Sequence, residues 1–107
     1  MRSLSPLEGD VLRVLWACGH MRVREIHNIL KKEQQVALTS IAVMLDRLHQ
    51  KGLVEREAEP ARGGLRYIYF TVQRREDVER RMVERAVDKI IERYGEAAVS
   101  YFMERFR

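Results

Sequence analysis

The period of the apolar residues changes at Gly52, and this change constrains the fold of the 107-residue chain more than any other feature. Before Gly52, apolar residues recur every three or four positions in three successive stretches, which predicts three short amphipathic helices. After it, Leu53–Glu57 and Arg66–Val72 have the composition of strands, and the turn-rich stretch Ala58–Gly64 separates them. We therefore expect a mainly α chain with one small antiparallel β-hairpin.

Cap and breaker residues indicate where the predicted helices begin and end. Ser5 stands at a helix start, with Glu8 as its capping-box partner. Gly19 and Gly52 stand where helices one and three should stop. A further amphipathic pattern follows the hairpin and is interrupted by Gly95. The predicted helices are Pro6–Cys18, Arg24–Lys32, Leu38 or Thr39 to Lys51, Arg75–Tyr94 and Glu96–Phe106.

Composition excludes several classes of protein. Apolar residues make up 46% of the chain and charged residues 34%, which favours a helix-rich globular fold over disorder. No apolar run approaches the roughly 20 residues of a membrane span, and acidic residues come too early for a signal peptide. We therefore expect a cytoplasmic protein without a membrane partner. The length suits one domain, residues 1–72, followed by a helical tail, residues 73–107.

Motifs for catalysis or metal binding are missing from the sequence. It contains no Gly-rich phosphate loop, no Cys/His cluster with metal spacing and no helix with paired histidines. We therefore expect no enzyme activity, no cofactor and no metal. The single cysteine, Cys18, cannot form a disulfide within the chain, and its place at the end of an apolar helix predicts a buried thiol. A redox role for Cys18, or a metal site that it shares with His20 across a dimer, is the alternative.

Three helices followed by a hairpin is the order of elements in a winged helix, a variant of the helix-turn-helix. In that fold the third helix enters the DNA major groove, the second crosses the backbone, and the hairpin, or wing, reaches adjacent phosphates. The net charge of +4, concentrated ahead of the tail, favours a polyanionic partner. The predicted DNA-binding residues are Arg22, Arg24, Thr39, Ser40, Ala42, Val43 and Arg47 and, on a flexible wing tip, Arg62 and Arg66.

Each group of these residues has a predicted role and a structural alternative. Thr39 and Ser40 bond phosphates or base edges, or serve only as helix-start residues. Ala42 and Val43 offer methyl contact to thymine, or form an incompletely buried edge of the core. The arginines contact phosphates, or are solvated charges that keep the surface soluble.

The tail predicts self-association. Its apolar stripe has little left to cover it after a complete winged helix, so we expect a two-fold homodimer interface. The two recognition helices would then lie about 34 Å apart, one turn of DNA. Packing of the stripe onto helix one of the same chain is the alternative. The predicted interface residues are Val78, Met82, Val87, Ile90, Ile91, Tyr94, Phe102, Met103 and Phe106.

Several stretches within residues 4–72 resemble the penicillinase and methicillin-resistance repressor family, the BlaI/MecI type. The matching stretches are Leu7–Trp16, Val23–Ile26, Thr39–Val54 and Arg66–Tyr69. The resemblance implies a homodimeric repressor that binds a palindromic operator and dimerises through its C-terminal helices. The positions that read the groove in such relatives match Thr39, Ser40, Ala42 and Val43.

The sequence departs from this family in ways that concern signalling and readout. Penicillinase-type repressors are inactivated by cleavage at an Asn-Phe bond in the tail, whereas the one asparagine here is Asn28, in helix two. Copper-responsive relatives carry a cysteine cluster near the C-terminus, which this sequence lacks. The inducing signal is therefore unknown. Because Ala42 and Val43 carry no polar group, readout is expected to depend more on methyl contacts.

A winged helix that binds protein, as a module of the transcription machinery, is the alternative function, because fold alone does not fix function. The basic wing and the polar face of helix three favour DNA, whereas an acidic face would favour protein. A steep loss of affinity with salt distinguishes the two, since phosphate contacts release counterions.

Overall fold

The computed structural model describes residues 4–107 as five helices and one two-stranded antiparallel sheet. They form two compact units, one up to Arg74 and the other Arg75–Arg107. The predicted fold class, mainly α with a small hairpin, is confirmed. The elements are α1 (Pro6–Cys18), α2 (Val23–Leu30), α3 (Leu38–Gln50), β1 (Val54–Ala61), β2 (Gly64–Thr71), α4 (Arg75–Tyr94) and α5 (Glu96–Arg105).

The core of the first unit lies where α1, α2 and α3 meet one another and the base of the hairpin. Each helix contributes an apolar stripe with helical spacing, so one side of each is buried and the other faces solvent. Complete burial of one Leu, Ile or Val side chain stabilises the fold by roughly 1.5–3 kcal/mol. The fully buried side chains of this unit are Val11, Leu12, Leu15, Ile26, Leu30, Ile41, Leu45, Leu48, Leu53 and Val54.

The predicted capping box at the start of α1 is confirmed and extends into the core. Ser5 Oγ accepts a hydrogen bond from the Glu8 backbone N–H at 3.2 Å, and Glu8 Oε1 accepts one from Ser5 N–H at 3.1 Å. Glu8 Oε2 accepts a 2.6 Å bond from Lys51 Nζ, just after α3. Burial raises the pKa of Glu8, but the bonds from Lys51 and Ser5 outweigh it and leave the pKa below its usual value.

The hairpin is longer and its loop shorter than the sequence predicted. The strands pair from Val54 with Thr71 to Ala61 with Gly64, so most of the expected loop is sheet. Pro60 fits because β1 pairs only with β2 within the described residues, and an edge strand tolerates a missing N–H. The turn is reduced to Arg62 and Gly63, and the Gly63 φ of +86° is one that L side chains rarely adopt.

The segment between α1 and α2 ties the helices to the wing. Met21 N–H donates to the Tyr69 carbonyl at 2.9 Å, and Tyr69 N–H donates back to Met21 at 2.8 Å. Trp16 Nε1 donates to the Gln73 carbonyl at 3.2 Å, which holds the end of the hairpin against α1. The residue after Met21 is Arg22, the N-cap of α2, so these bonds also set the start of α2 beside β2.

Two other predictions are corrected. Cys18 is exposed, not buried, and Ala17, Gly19 and His20 beside it are exposed too, whereas the buried residue of the last turn of α1 is Leu15. Helix α2 ends at Leu30, so the two lysines placed in its last turn follow it. Among residues 4–107, no three His, Cys, Asp or Glu side chains cluster as metal ligands do.

Replacing Lys51 with Met should leave the Glu8 carboxylate buried without its ion-pair partner. We expect Lys51→Met to lower the free energy of unfolding at neutral pH by about 3 kcal/mol in urea denaturation. The pKa of Glu8 is lowered by folding, so its stabilisation is present above the usual value of 4.5 and is lost as pH falls through the folded pKa. The deficit of Lys51→Met should therefore shrink in acid. Equal loss in Lys32→Met, at an exposed lysine, would contradict the role of the pair.

Candidate nucleic-acid interface

Helix α3 has one side in the core and the other exposed. Ile41, Leu45 and Leu48 are fully buried, and they fix the rotation of the helix about its axis. Thr39, Val43 and Arg47 are four residues apart, so they lie in one row along the opposite face. All three are exposed in the structure, and 45% of the surface of Val43 is accessible to solvent.

Ser40 and Ala42 flank this row and are half-buried. Their position leaves part of each side chain open to solvent beside Val43. Val43 is more exposed than Ala42, and the alternative of an incompletely buried edge of the core stays open for both. The structure thus brings the four predicted groove-reading residues of α3 together on one surface.

The first turn of α3 is suited to an anion. Its N-cap is Ala37, which provides no side-chain hydrogen bond, and the turn contains no acidic residue. By contrast, Glu8 and Glu25 occupy the first turns of α1 and α2. A helix N-terminus carries unbonded N–H groups and a partial positive charge, both of which attract phosphate.

Three of the predicted phosphate contacts are free to bind. Within residues 4–107, the side chains of Arg24, Arg47 and Arg62 are exposed and have no ion pair. The neighbouring acid on α3, Asp46, instead pairs with Nη1 of Arg56 on β1 at 3.2 Å. Arg47 is therefore not paired with the acid beside it, and both its predicted phosphate contact and its alternative, a solvated surface charge, stay open.

Arg56 is a residue that the sequence analysis missed. Its guanidinium reaches Asp46 and also lies 4.3 Å from the centre of the Tyr67 ring. It thereby neutralises an acid on the surface that carries Arg47. Only the pairing of β1 with β2 and the packing of α3 against β1 bring these residues together, so no local sequence pattern predicts this pair.

Arg62 and Arg66 do not share the wing tip, contrary to the prediction. Arg62 lies in the turn, whereas Arg66 lies within β2 opposite Glu59. The reason is the length of the strands, which extend through the expected loop. Leu65, 70% exposed, lies on β2 between them and was not predicted as a surface residue of the wing.

Glu59, which the sequence analysis also missed, accepts hydrogen bonds from two of the arginines that were predicted to contact phosphate, Arg22 and Arg66. It accepts hydrogen bonds from Arg22 Nε and, at 3.1 Å, from Arg22 Nη2, and one from Arg66 Nε at 2.6 Å. Glu25 accepts from Arg22 Nη1 at 3.2 Å. The hydrogen bonds from Arg22 and then Arg66 lower the pKa of Glu59, so its carboxylate is ionised at neutral pH.

The tail exposes an apolar surface that differs in part from the predicted one. On α4, Val83, Val87, Ile90 and Tyr94 are spaced by four, three and four residues, the spacing of a coiled-coil seam. Val83 is 62% exposed and was not predicted. Val78 is only 1% exposed and lies about 120° around the helix from Ile90, so its predicted place on this surface is wrong.

The remaining tail residues divide by exposure. On α5, Val99, missing from the predicted set, joins the exposed apolar residues, whereas Ala98 is buried. The predicted residues that are exposed are Ile90, Ile91, Tyr94, Met103 and Phe106, and those that are half-buried are Met82, Val87 and Phe102.

The family is decided by comparison of the whole chain with family models. The model described as penicillinase repressor matches residues 4–106. The chain belongs to the penicillinase repressor family. It is therefore a DNA-binding transcription regulator of winged-helix fold, and the family expected from the sequence is confirmed. Regulators of this family are not enzymes.

Solved structures agree with this fold. Stf76 from the Sulfolobus islandicus plasmid-virus pSSVx is 25% identical, with a TM-score of 0.52, over 71% of this chain and 92% of its own. A possible transcriptional regulator from Methanosarcina mazei Go1 is 17% identical, with a TM-score of 0.62, over 92% of this chain and 79% of its own. YusO from Bacillus subtilis is 21% identical, with a TM-score of 0.59, over 97% of this chain and 77% of its own.

Two further comparisons concern the chain as a whole. A search of the curated proteins finds none that matches it. Within residues 4–107, none of the helices has both the length and the apolar composition needed to span a membrane.

The free arginines of this penicillinase repressor family member predict a salt effect. We expect Arg47→Ala and Arg62→Ala each to weaken binding to all duplexes similarly and to reduce the slope of log affinity against log salt by about 0.9, the value for one lost phosphate contact. Fluorescence anisotropy over a salt series measures both. Lys32→Ala, which removes a charge just beyond the far end of α2 from Arg22 and Arg24, is the control. Wild-type slopes in both arginine variants would remove these side chains from the interface.

Proposed function

We propose that this regulator is a homodimeric repressor that binds a palindromic operator in the cytoplasm, with α3 in the major groove. The observation that carries the proposal is the exposed row Thr39, Val43 and Arg47, on the side of α3 opposite its buried stripe. The major groove admits a helix whose outward face meets base edges. This row is of the right kind, since it offers a hydroxyl, a methyl-bearing side chain and a cation.

The residues of α3 have separate roles in this proposal. Thr39, Ser40 and the free N–H groups of the first turn bind a phosphate or a base edge at the groove wall. Val43, with Ala42 beside it, contacts thymine methyl groups. Arg47, further along the helix, binds a phosphate.

The remaining arginines bind the DNA backbone on either side of α3. Arg24 on α2 and Arg62 at the wing turn are exposed and unpaired within the described residues. Arg66 keeps its two terminal nitrogens for phosphate while its Nε remains on Glu59. Contacts of this kind position the protein on DNA without reading sequence.

Homodimerisation is proposed through the exposed apolar surface of α4 and α5. Val83, Val87, Ile90 and Tyr94 follow the four-three alternation with which one helix packs along another. Val99 and Met103 on α5 and Phe106 at its C-cap are likewise spaced by four and three residues. A large apolar surface of this kind costs free energy in water, and burying it against a second copy removes that cost. A two-fold dimer also explains a palindromic operator.

Selection of bound duplexes from a random pool tests the proposal. We expect an enriched palindrome whose half-sites lie about 10 base pairs apart, centre to centre. Enrichment of a single unrepeated site would reject the two-fold dimer on DNA. The absence of any preferred duplex at low ionic strength would reject the operator and favour the protein-binding alternative.

The exposed valine of α3 predicts a loss of specificity. We expect Val43→Ala to reduce discrimination at one base pair per half-site by about 1 kcal/mol, because the methyl contact to thymine is lost, while random DNA is bound as before. Competition binding with operator and scrambled duplexes measures both affinities. Val72→Ala deletes the same atoms at a valine that is 49% exposed outside α3 and is the matched control. Equal loss on both duplexes would contradict direct readout by Val43.

The proposed seam predicts the oligomeric state. We expect Ile90→Asp to give a monomer in sedimentation equilibrium, because a carboxylate at the seam would be buried without a partner. Operator affinity should fall in parallel, since the two half-sites are no longer bound together. Ala97→Asp introduces the same acid at an exposed alanine of α5 away from the seam and should stay dimeric. An Ile90→Asp protein that remains a dimer would contradict this interface.

A further inference from the structure

Glu59 occupies the Nε–Nη2 edge of the Arg22 guanidinium. Its two carboxylate oxygens accept from Nε and Nη2 of Arg22, and Nη1 of Arg22 is on Glu25. The Nε–Nη2 edge of a guanidinium is one that binds a phosphate through two parallel hydrogen bonds. All three nitrogens of Arg22 are thus occupied by acids of the same chain.

Arg66 is engaged only in part. It donates its Nε to Glu59 Oε1 at 2.6 Å, and its side chain remains 54% exposed. Glu59, with 23% of its side chain exposed, therefore lies between the two cations. One carboxylate thus offsets part of the charge of two arginines that border the first residue of α3, Leu38, in a shared concavity.

We propose that Glu59 acts as an internal competitor for DNA phosphate and thereby determines how strongly the protein binds DNA of any sequence. This proposal rests on the proposed function, because it concerns affinity for DNA. A phosphate that binds the Nε–Nη2 edge of Arg22 must first displace the Glu59 carboxylate. Arg22 consequently connects α2 to the wing in the DNA-free protein and adds little to DNA affinity.

Pairing Arg22 with Glu59 raises the specificity for operator over random DNA, because it removes one phosphate contact. Phosphate contacts strengthen binding to operator and random DNA alike, whereas groove contacts from α3 strengthen only the first. A chain with fewer phosphate contacts is therefore less occupied by competing genomic sites. The free arginines, Arg24, Arg47 and Arg62, still provide the attraction that brings the protein to DNA.

Glu59→Gln tests this proposal, because glutamine keeps the shape of the side chain and removes its charge. We expect about fivefold tighter binding to a random-sequence duplex at low salt, and a salt slope steeper by about 0.9 for the phosphate that Arg22 gains. Glu57→Gln is the matched control. Glu57 lies two residues away on β1, is exposed and has no side-chain partner within residues 4–107.

A second variant connects the gain to Arg22. We expect the double variant Arg22→Ala with Glu59→Gln to lose most of the gain, because the released guanidinium is then absent. Thermal unfolding checks the fold of each variant, and Glu59→Ser replaces Glu59→Gln if glutamine destabilises the wing. Operator binding by the wild-type protein, measured in the same series, tests the proposed function independently.

Three results would overturn the proposal while leaving the proposed function intact. The first is unchanged or weaker binding of random DNA by Glu59→Gln. The second is an equal gain in Glu57→Gln, which would indicate a general effect of net charge. The third is a gain that survives removal of Arg22.

Discussion

The burial of one stripe of α3 is the constraint on which the rest of this structure depends. Ile41, Leu45 and Leu48 complete the small core between α1, α2 and the hairpin, and each is fully buried. Because a helix is rigid and turns once every 3.6 residues, fixing this stripe also fixes the opposite side. The row of Thr39, Val43 and Arg47 is therefore presented to solvent as a consequence of core packing.

Electrostatics on the proposed DNA-facing side is organised by local pairing. Asp46 is neutralised by Arg56, and Glu59 is shared by Arg22 and Arg66. Asp46 and Glu59 are thus each placed against particular cations, whereas Arg24, Arg47 and Arg62 remain free within the described chain. The net charge of +4 conceals this division, since it counts paired and free arginines alike. Which arginines can reach a phosphate is decided by the register of two strands and by the Met21–Tyr69 bonds beside α2.

The success of sequence reasoning followed the range of the interactions. The Ser5–Glu8 cap and the ends of α1 and α4 depend on neighbours within a few residues, and they were predicted closely. The hairpin loop was predicted too long, because strand pairing overrode the turn preference of the stretch around Pro60. Cys18 fitted an apolar helix by composition, but the chain is exposed from Ala17 to His20 at the end of α1, and no local pattern predicts that exposure.

The order of elements, the buried stripes and the family were determined by the sequence alone, because periodicity and capping are local properties that chain neighbours fix. The tertiary structure decided which side chains are available. Val78 is buried and Val83 is exposed. Arg22 and Arg66 both pair with Glu59, and Asp46 pairs with Arg56. Availability depends on contacts between residues far apart in the chain. Such contacts arise only when helices and strands pack, and no local pattern records them.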